Sequence, residues 1–132
     1  MAEYIAAEKL GLRLAPARTA GHDAVRKNRD GSEGKIQIKG RACGKKPKRG
    51  LRMGRIKRGA DCESVVLVLL DDVTLDPHGM WEAPYAAVEA RQLELRTEKG
   101  LRVTDFKKIA KLVWPTAAEK GPSDARSAHV AP

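Results

Sequence analysis

Polar and hydrophobic positions alternate most cleanly over Lys35-Ile36-Gln37-Ile38-Lys39-Gly40-Arg41. Successive side chains of a strand point to opposite faces. The alternation therefore predicts a strand that buries Ile36 and Ile38 and gathers Gln37 and Lys39 on its other face. Gly21 to Arg26 predicts a partner strand. Asp30-Gly31 between them is a strong hairpin signal, in a loop lengthened by Ser32 to Gly34. Asp23 on the partner strand reaches the Gln37/Lys39 face if the register allows. The unbroken Val/Leu run of Ser64 to Leu70 predicts a strand buried on both faces, as at the centre of an α/β sheet. Weaker patterns predict short strands over Leu12–Ala15, Leu51–Lys57 (with Met53 and Ile56 as its apolar members) and Met80–Ala83. Cys43 to Gly50, rich in Gly, Lys and Pro, reads as a loop. Asp71, Asp72 and Asp76-Pro77-His78-Gly79 read as turns.

Helical patterns flank these strands. Ala2 to Leu10 places Ala2, Ile5, Ala6 and Lys9 on one side, has Glu3 in its first turn, and meets a stop at Gly11. Pro84 suits the first position of a helix running to about Leu93. Thr104 reads as the N-cap of a last helix, Asp105 to Val113, in which Phe106, Ile109, Ala110 and Val113 form a core stripe; Pro115 ends it. Residues 116–132 are small, polar and bounded by prolines, and predict a disordered tail. The expectation is one α/β domain over residues 1–115, with a central mixed sheet of four to five strands flanked by helices.

Composition narrows the function classes. The chain has 132 residues, enough for one modest core. No apolar run approaches the roughly 20 residues of a membrane span. Met1 to Ile5 lacks the regions of a secretory signal, so a soluble cytoplasmic protein is expected, with no membrane partner. The two cysteines, Cys43 and Cys62, are too few for a disulfide scaffold and form no Cys-x-x-Cys pair. His22, His78 and His129 show no metal-ligand spacing. Trp81 and Trp114 read as core or interface residues, because aromatics are too sparse for a base-stacking surface.

Charge changes the picture most. The formal net charge is +9, from 26 basic and 17 acidic residues. Ten of the basic residues lie between Lys39 and Arg58, with no acid among them: Lys39, Arg41, Lys45, Lys46, Lys48, Arg49, Arg52, Arg55, Lys57 and Arg58. Outside that window sixteen basic residues face seventeen acidic ones, so the whole excess is local. Such a block is the electrostatic footprint of a phosphate-backbone binder. It holds few bulky apolar residues to insert into a membrane surface. It also begins at the end of the Gln37/Lys39 strand, beside the candidate chemistry.

The order of a helix, a hairpin with Asp and Gln-x-Lys, a buried strand and further helices resembles the PD-(D/E)XK nuclease superfamily. The likeness spans most of residues 2–114. It is closest to small stand-alone members whose hairpin reads Gly-x-Asp-Ala-Val followed by Gln-Ile-Lys-Gly. It implies a restriction-endonuclease-like fold and an Mg²⁺-dependent endonuclease, with Mn²⁺ as an alternative ion and DNA as the favoured nucleic acid. Carried over residue by residue, it implies a catalytic set of Asp23, Gln37 and Lys39, with Glu3 added from the first helix and Glu8 as the fallback. Arg41, Lys45, Lys46, Lys48, Arg49, Arg52, Arg55, Lys57 and Arg58 would bind the nucleic acid. The sequence departs from the commoner pattern at Gln37, where Glu or Asp is usual, and in lacking a proline before the acid. A homodimer is compatible with the resemblance, since two strands call for two sites.

Elementary chemistry agrees with these roles. A hard cation such as Mg²⁺ takes oxygen ligands and keeps several waters. Asp23 and Glu3 offer carboxylates, Gln37 an amide oxygen and Ile38 its backbone carbonyl. Lys39 can orient an attacking water and stabilise negative charge. An amide lacks full charge, so Gln37 makes the ion site lean on Asp23 and Glu3. Two other readings are open at this point: a catalytically inactive nucleic-acid-binding module of the same fold, and a basic protein-interaction subunit.

Overall fold

The computed structural model describes residues 2–15, 22–44, 50–56, 59, 62–96 and 100–115. Gly21, Lys45, Lys46, Lys48, Arg49, Lys57, Arg58 and the expected tail 116–132 lie outside the described residues. The element order is α1 (Ala2–Leu10), β1 (Arg13–Leu14), β2 (Ala24–Lys27), β3 (Glu33–Cys43), β4 (Ser64–Asp71), β5 (Pro77–Pro84), α2 (Tyr85–Leu95), α3 (Val103–Ile109) and β6 (Lys111–Trp114). The strands form one six-stranded sheet in the order β1 to β6. β3 and β4 run parallel, and each other neighbouring pair is antiparallel. The molecule is thus α/β with a mixed sheet flanked by helices, wider than the four or five strands expected. Among the described residues no helix is long and apolar enough to cross a membrane.

The sheet has a core on each face. On one face, Ile36, Ile38, Val66, Val68, Leu70 and Met80 pack with Ala6 of α1 and with Leu12 and Ala24. On the other, Val65, Leu67 and Leu69 pack with Met53, Ile56, Val88, Leu101, Val103 and Phe106. The residues of β4 from Val65 to Leu70 are therefore buried whichever way they point, as their unbroken apolar run predicts. In β3 the alternation buries Ile36 and Ile38 under α1. Gln37, Lys39 and Arg41 pair with Val65, Leu67 and Leu69 and so face the α2/α3 layer, where they are half-buried.

Four expectations fail, the first two for a tertiary reason. Leu51 to Ile56 is not a strand. Arg52 alone makes a bridge, to Arg102, and Gly54 at φ +97° turns the backbone out of extended geometry. Met53 and Ile56 are apolar because they plug the core. The last helix starts at Val103 with Arg102, not Thr104, as N-cap, and ends at Ile109. Lys111 to Trp114 then pairs with β5, with Trp81 opposite Leu112 and Glu82 opposite Lys111. Ile109 and Val113, spaced as on one helical face, consequently pack on opposite faces of the sheet. Finally, Pro77 to Gly79 open β5 rather than forming a turn. Pro84 is the N-cap of α2, which extends to Leu95.

Candidate active site

β2 and β3 part company at Asp23. The last regular pair is Ala24 with Ile36, after which the Asp23 N–H donates to the Ile36 carbonyl at 2.8 Å. Two residues further along β3, the Ile38 N–H would be left unpaired. It donates instead to the Asp23 carboxylate Oδ2 at 2.8 Å. The Asp23 carbonyl meanwhile accepts from Ala15 N–H at 2.9 Å. Asp23 is thus fixed just before β2 begins, with its carboxylate on the free edge of β3. This differs from the face-to-face meeting with Gln37 and Lys39 that the hairpin pattern suggests.

Beyond that point the edge of β3 opens into a cavity of about 490 Å³. Its lining includes Glu3, Asp23, Gln37, Ile38, Lys39 and Arg41. All four residues proposed from sequence for catalysis therefore share one cleft, with Ile38 among them. Glu3 arrives from the α1 side of the sheet, while Gln37 and Lys39 arrive from the α2/α3 side, so the cleft wraps around a strand edge. Glu8 is not part of it; it is exposed and sits 3.8 Å from Lys9.

The approach of α1 to this edge depends on Gly40. A Cβ there would lie 2.4 Å from the Ala2 Cβ, far inside carbon–carbon contact at about 3.5–4.0 Å. Only a glycine lets the first turn of α1, and Glu3 with it, sit this close to β3. In the sequence its signal is a glycine inside an otherwise continuous strand, which marks close backbone approach. Arg41 has a similar hidden role. Its guanidinium donates from Nε to the Arg52 carbonyl at 2.8 Å and from Nη1 to the Gly40 carbonyl at 2.6 Å. Arg52 in turn donates to the Gly100 carbonyl at 2.7 Å. Both cations, expected to bind nucleic acid, hold the backbone of the Leu51–Ile56 segment beside the cleft. Arg55 is exposed on that segment.

Two carboxylates, Glu3 and Asp23, and two cations, Lys39 and Arg41, line the cleft together. The Glu3 carboxyl is held below its ordinary value of 4.5, chiefly by a hydrogen bond from its own backbone N–H, against the opposing effect of burial. The Gln37 side-chain oxygen is buried and, among the described residues, has no hydrogen-bond partner. The Nδ1 of His22, next in sequence to Asp23, is in the same condition. Leaving a buried acceptor unpaired costs about 1–3 kcal/mol, so an amide oxygen held this way in a cleft is suited to a ligand. Among the described residues no group of three His, Cys, Asp and Glu side chains gathers as a metal cluster. The oxygens here come from two carboxylates and one amide. Compared with protein-family models and with curated proteins, the sequence has no match.

Proposed function

We propose that this protein is a divalent-metal-dependent endonuclease that hydrolyses phosphodiester bonds in nucleic acid, DNA in the first instance, on a restriction-endonuclease-like fold. The observation that carries the reading is the convergence of Glu3, Asp23, Gln37 and Lys39 on one cleft at the edge of β3. The mixed sheet flanked by helices is of the coarse α/β class that such a fold requires.

Glu3, Asp23, the Gln37 amide oxygen and the Ile38 carbonyl would hold Mg²⁺ or Mn²⁺; the unpaired Gln37 oxygen and the ionised Glu3 fit that task. Such an ion neutralises phosphate charge and lowers the pKa of bound water. The chain supplies the rest. Asp23, tied to the Ile38 N–H, keeps one carboxylate oriented at the strand edge. Lys39 presents an ammonium in the same cleft, to hold the attacking water and stabilise charge developing on the phosphate. The basic segment that follows binds the polymer's backbone, with an affinity that falls steeply with salt.

The test is incubation of purified protein with plasmid and single-stranded substrates under Mg²⁺, Mn²⁺ or chelator. Cleavage in metal, lost in chelator and lost in Asp23→Ala and Lys39→Ala, is expected. Cleavage that survives chelator or both substitutions contradicts the mechanism. Binding without cleavage in either metal would instead identify a nucleic-acid-binding module.

A further inference from the structure

The Leu51–Ile56 segment, lying in the basic window, is held to the body of the protein by its backbone. Met53 N–H donates to the Leu101 carbonyl at 2.9 Å, and Val103 N–H donates to the Leu51 carbonyl at 2.8 Å. Gly54 and Gly100 touch backbone to backbone: a Cβ on Gly100 would fall 2.4 Å from the Gly54 carbonyl carbon. At the far end one buried side chain, Gln92 of α2, grips both polar groups of Ile56. Its Oε1 accepts from the Ile56 N–H at 2.8 Å, and its Nε2 donates to the Ile56 carbonyl at 2.9 Å. Gln92 is 6% exposed, and a buried polar side chain that pairs with another segment's backbone fixes that segment's position. The segment passes directly over the cleft lysine. The Cβ position of Gly54 lies 3.8 Å from the Lys39 Nζ and 2.4 Å from the Arg41 Nη2.

We propose that Gln92 is a positioning residue that clamps this strap, so that the exposed Arg55 binds a backbone phosphate of the nucleic acid on the Lys39 side of the cleft. The inference rests on the nuclease reading and deepens it. Arg41 and Arg52 spend guanidinium bonds on holding the strap, whereas Arg55 lies one residue from the clamped Ile56. A clamp placed there converts a charge on a connecting segment into a charge at a defined place, which lowers the ordering cost of binding. Gln92 touches neither substrate nor metal in this account; it acts only through the strap.

The experiment is binding of a fluorescent duplex DNA by the full chain in chelator, followed across salt from about 50 to 200 mM, the range over which phosphate contacts are read out. Arg55→Gln should lower the slope of log affinity against log salt by about one. Gln92→Leu changes no charge, yet should lower the slope as Arg55→Gln does, and the double variant should show no further loss. In cleavage assays both single variants should raise KM while kcat holds. Gln92→Glu keeps the acceptor for the Ile56 N–H and should fall between wild type and Gln92→Leu, so the idea stays testable if the leucine variant does not melt cooperatively. An unchanged slope in Gln92→Leu and Gln92→Glu, or losses that add in the double variant, would overturn the clamp while leaving the nuclease reading standing. A wild-type chain that binds neither duplex nor single-stranded DNA at any salt would overturn both.

Discussion

Gly40→Ala is the most revealing single change in this molecule. The added methyl would begin 2.4 Å from the Ala2 Cβ, so the two carbons must separate by more than about 1 Å to reach ordinary contact. Neither is the end of a flexible side chain: one sits in the middle of β3 and the other starts α1. The relief must come from the helix, whose first turn carries Glu3. Overpacking of this kind costs about 1–3 kcal/mol, which lowers Tm by about 4 °C per kcal/mol in a domain of this size. The functional loss should be larger, since a 1 Å misplacement of a catalytic group can cost about 10²-fold. Metal-dependent cleavage and thermal melting of Gly40→Ala, Ala2→Gly and the double variant provide the assay. The double variant removes the methyl that Gly40→Ala strikes and should recover most of the stability and activity. Full activity in Gly40→Ala, or no recovery in the double variant, would refute the argument that close packing of α1 on β3 delivers Glu3 to the cleft.

Other substitutions separate structure from chemistry. Asp23→Asn keeps an acceptor for the Ile38 N–H and should melt near wild type while losing cleavage; Asp23→Ala should lose cleavage and about 1–3 kcal/mol of stability as well, read by denaturant unfolding. Gln37→Glu replaces the proposed amide ligand by a carboxylate and should lower the Mg²⁺ concentration giving half-maximal cleavage, measured by metal titration. Away from the cleft, Arg26 makes a two-pronged bond to Glu82 at 2.9 and 2.6 Å. Burial pushes the Glu82 carboxyl up, but the hydrogen bond and charge of Arg26, with Ser64 and Lys111, outweigh it and hold the group below its ordinary 4.5. A lowered folded pKa means the unfolded chain binds the proton more readily. Stability from this pair is therefore complete above pH 4.5 and is lost as pH falls below it through the folded value. Melting of Glu82→Gln between pH 7 and 3 should show a flatter acid limb than wild type.

What could be read from the sequence was whatever local chemistry decides. α1 is bounded by Gly11, whose φ of +69° ends it, and β3 and β4 show their burial in their spacing. That Asp23 lies near Gln37 and Lys39 follows from the hairpin, although its carboxylate meets the edge of β3 at Ile38 and not the polar face. Long-range partners were not legible. Lys111 to Trp114 is extended because β5 pairs with it, and nothing in its own spacing distinguishes it from another helical turn. The buried Met53 and Ile56 looked like strand residues, since apolar spacing does not say whether backbone bonds go to a ladder or to Gln92. Gln92 carries no local signal that sets it apart from any other polar residue on a helix. Arg41 and Arg52 counted as two more charges in a basic run, although their geometry commits them to backbone carbonyls.

The most direct measurement is single-turnover cleavage of an end-labelled duplex in Mg²⁺, by wild type and by Asp23→Asn of equal thermal stability. The account predicts strand scission by wild type that chelator abolishes, and none by Asp23→Asn. Equal cleavage by the two proteins, or none by wild type with either Mg²⁺ or Mn²⁺, would contradict it.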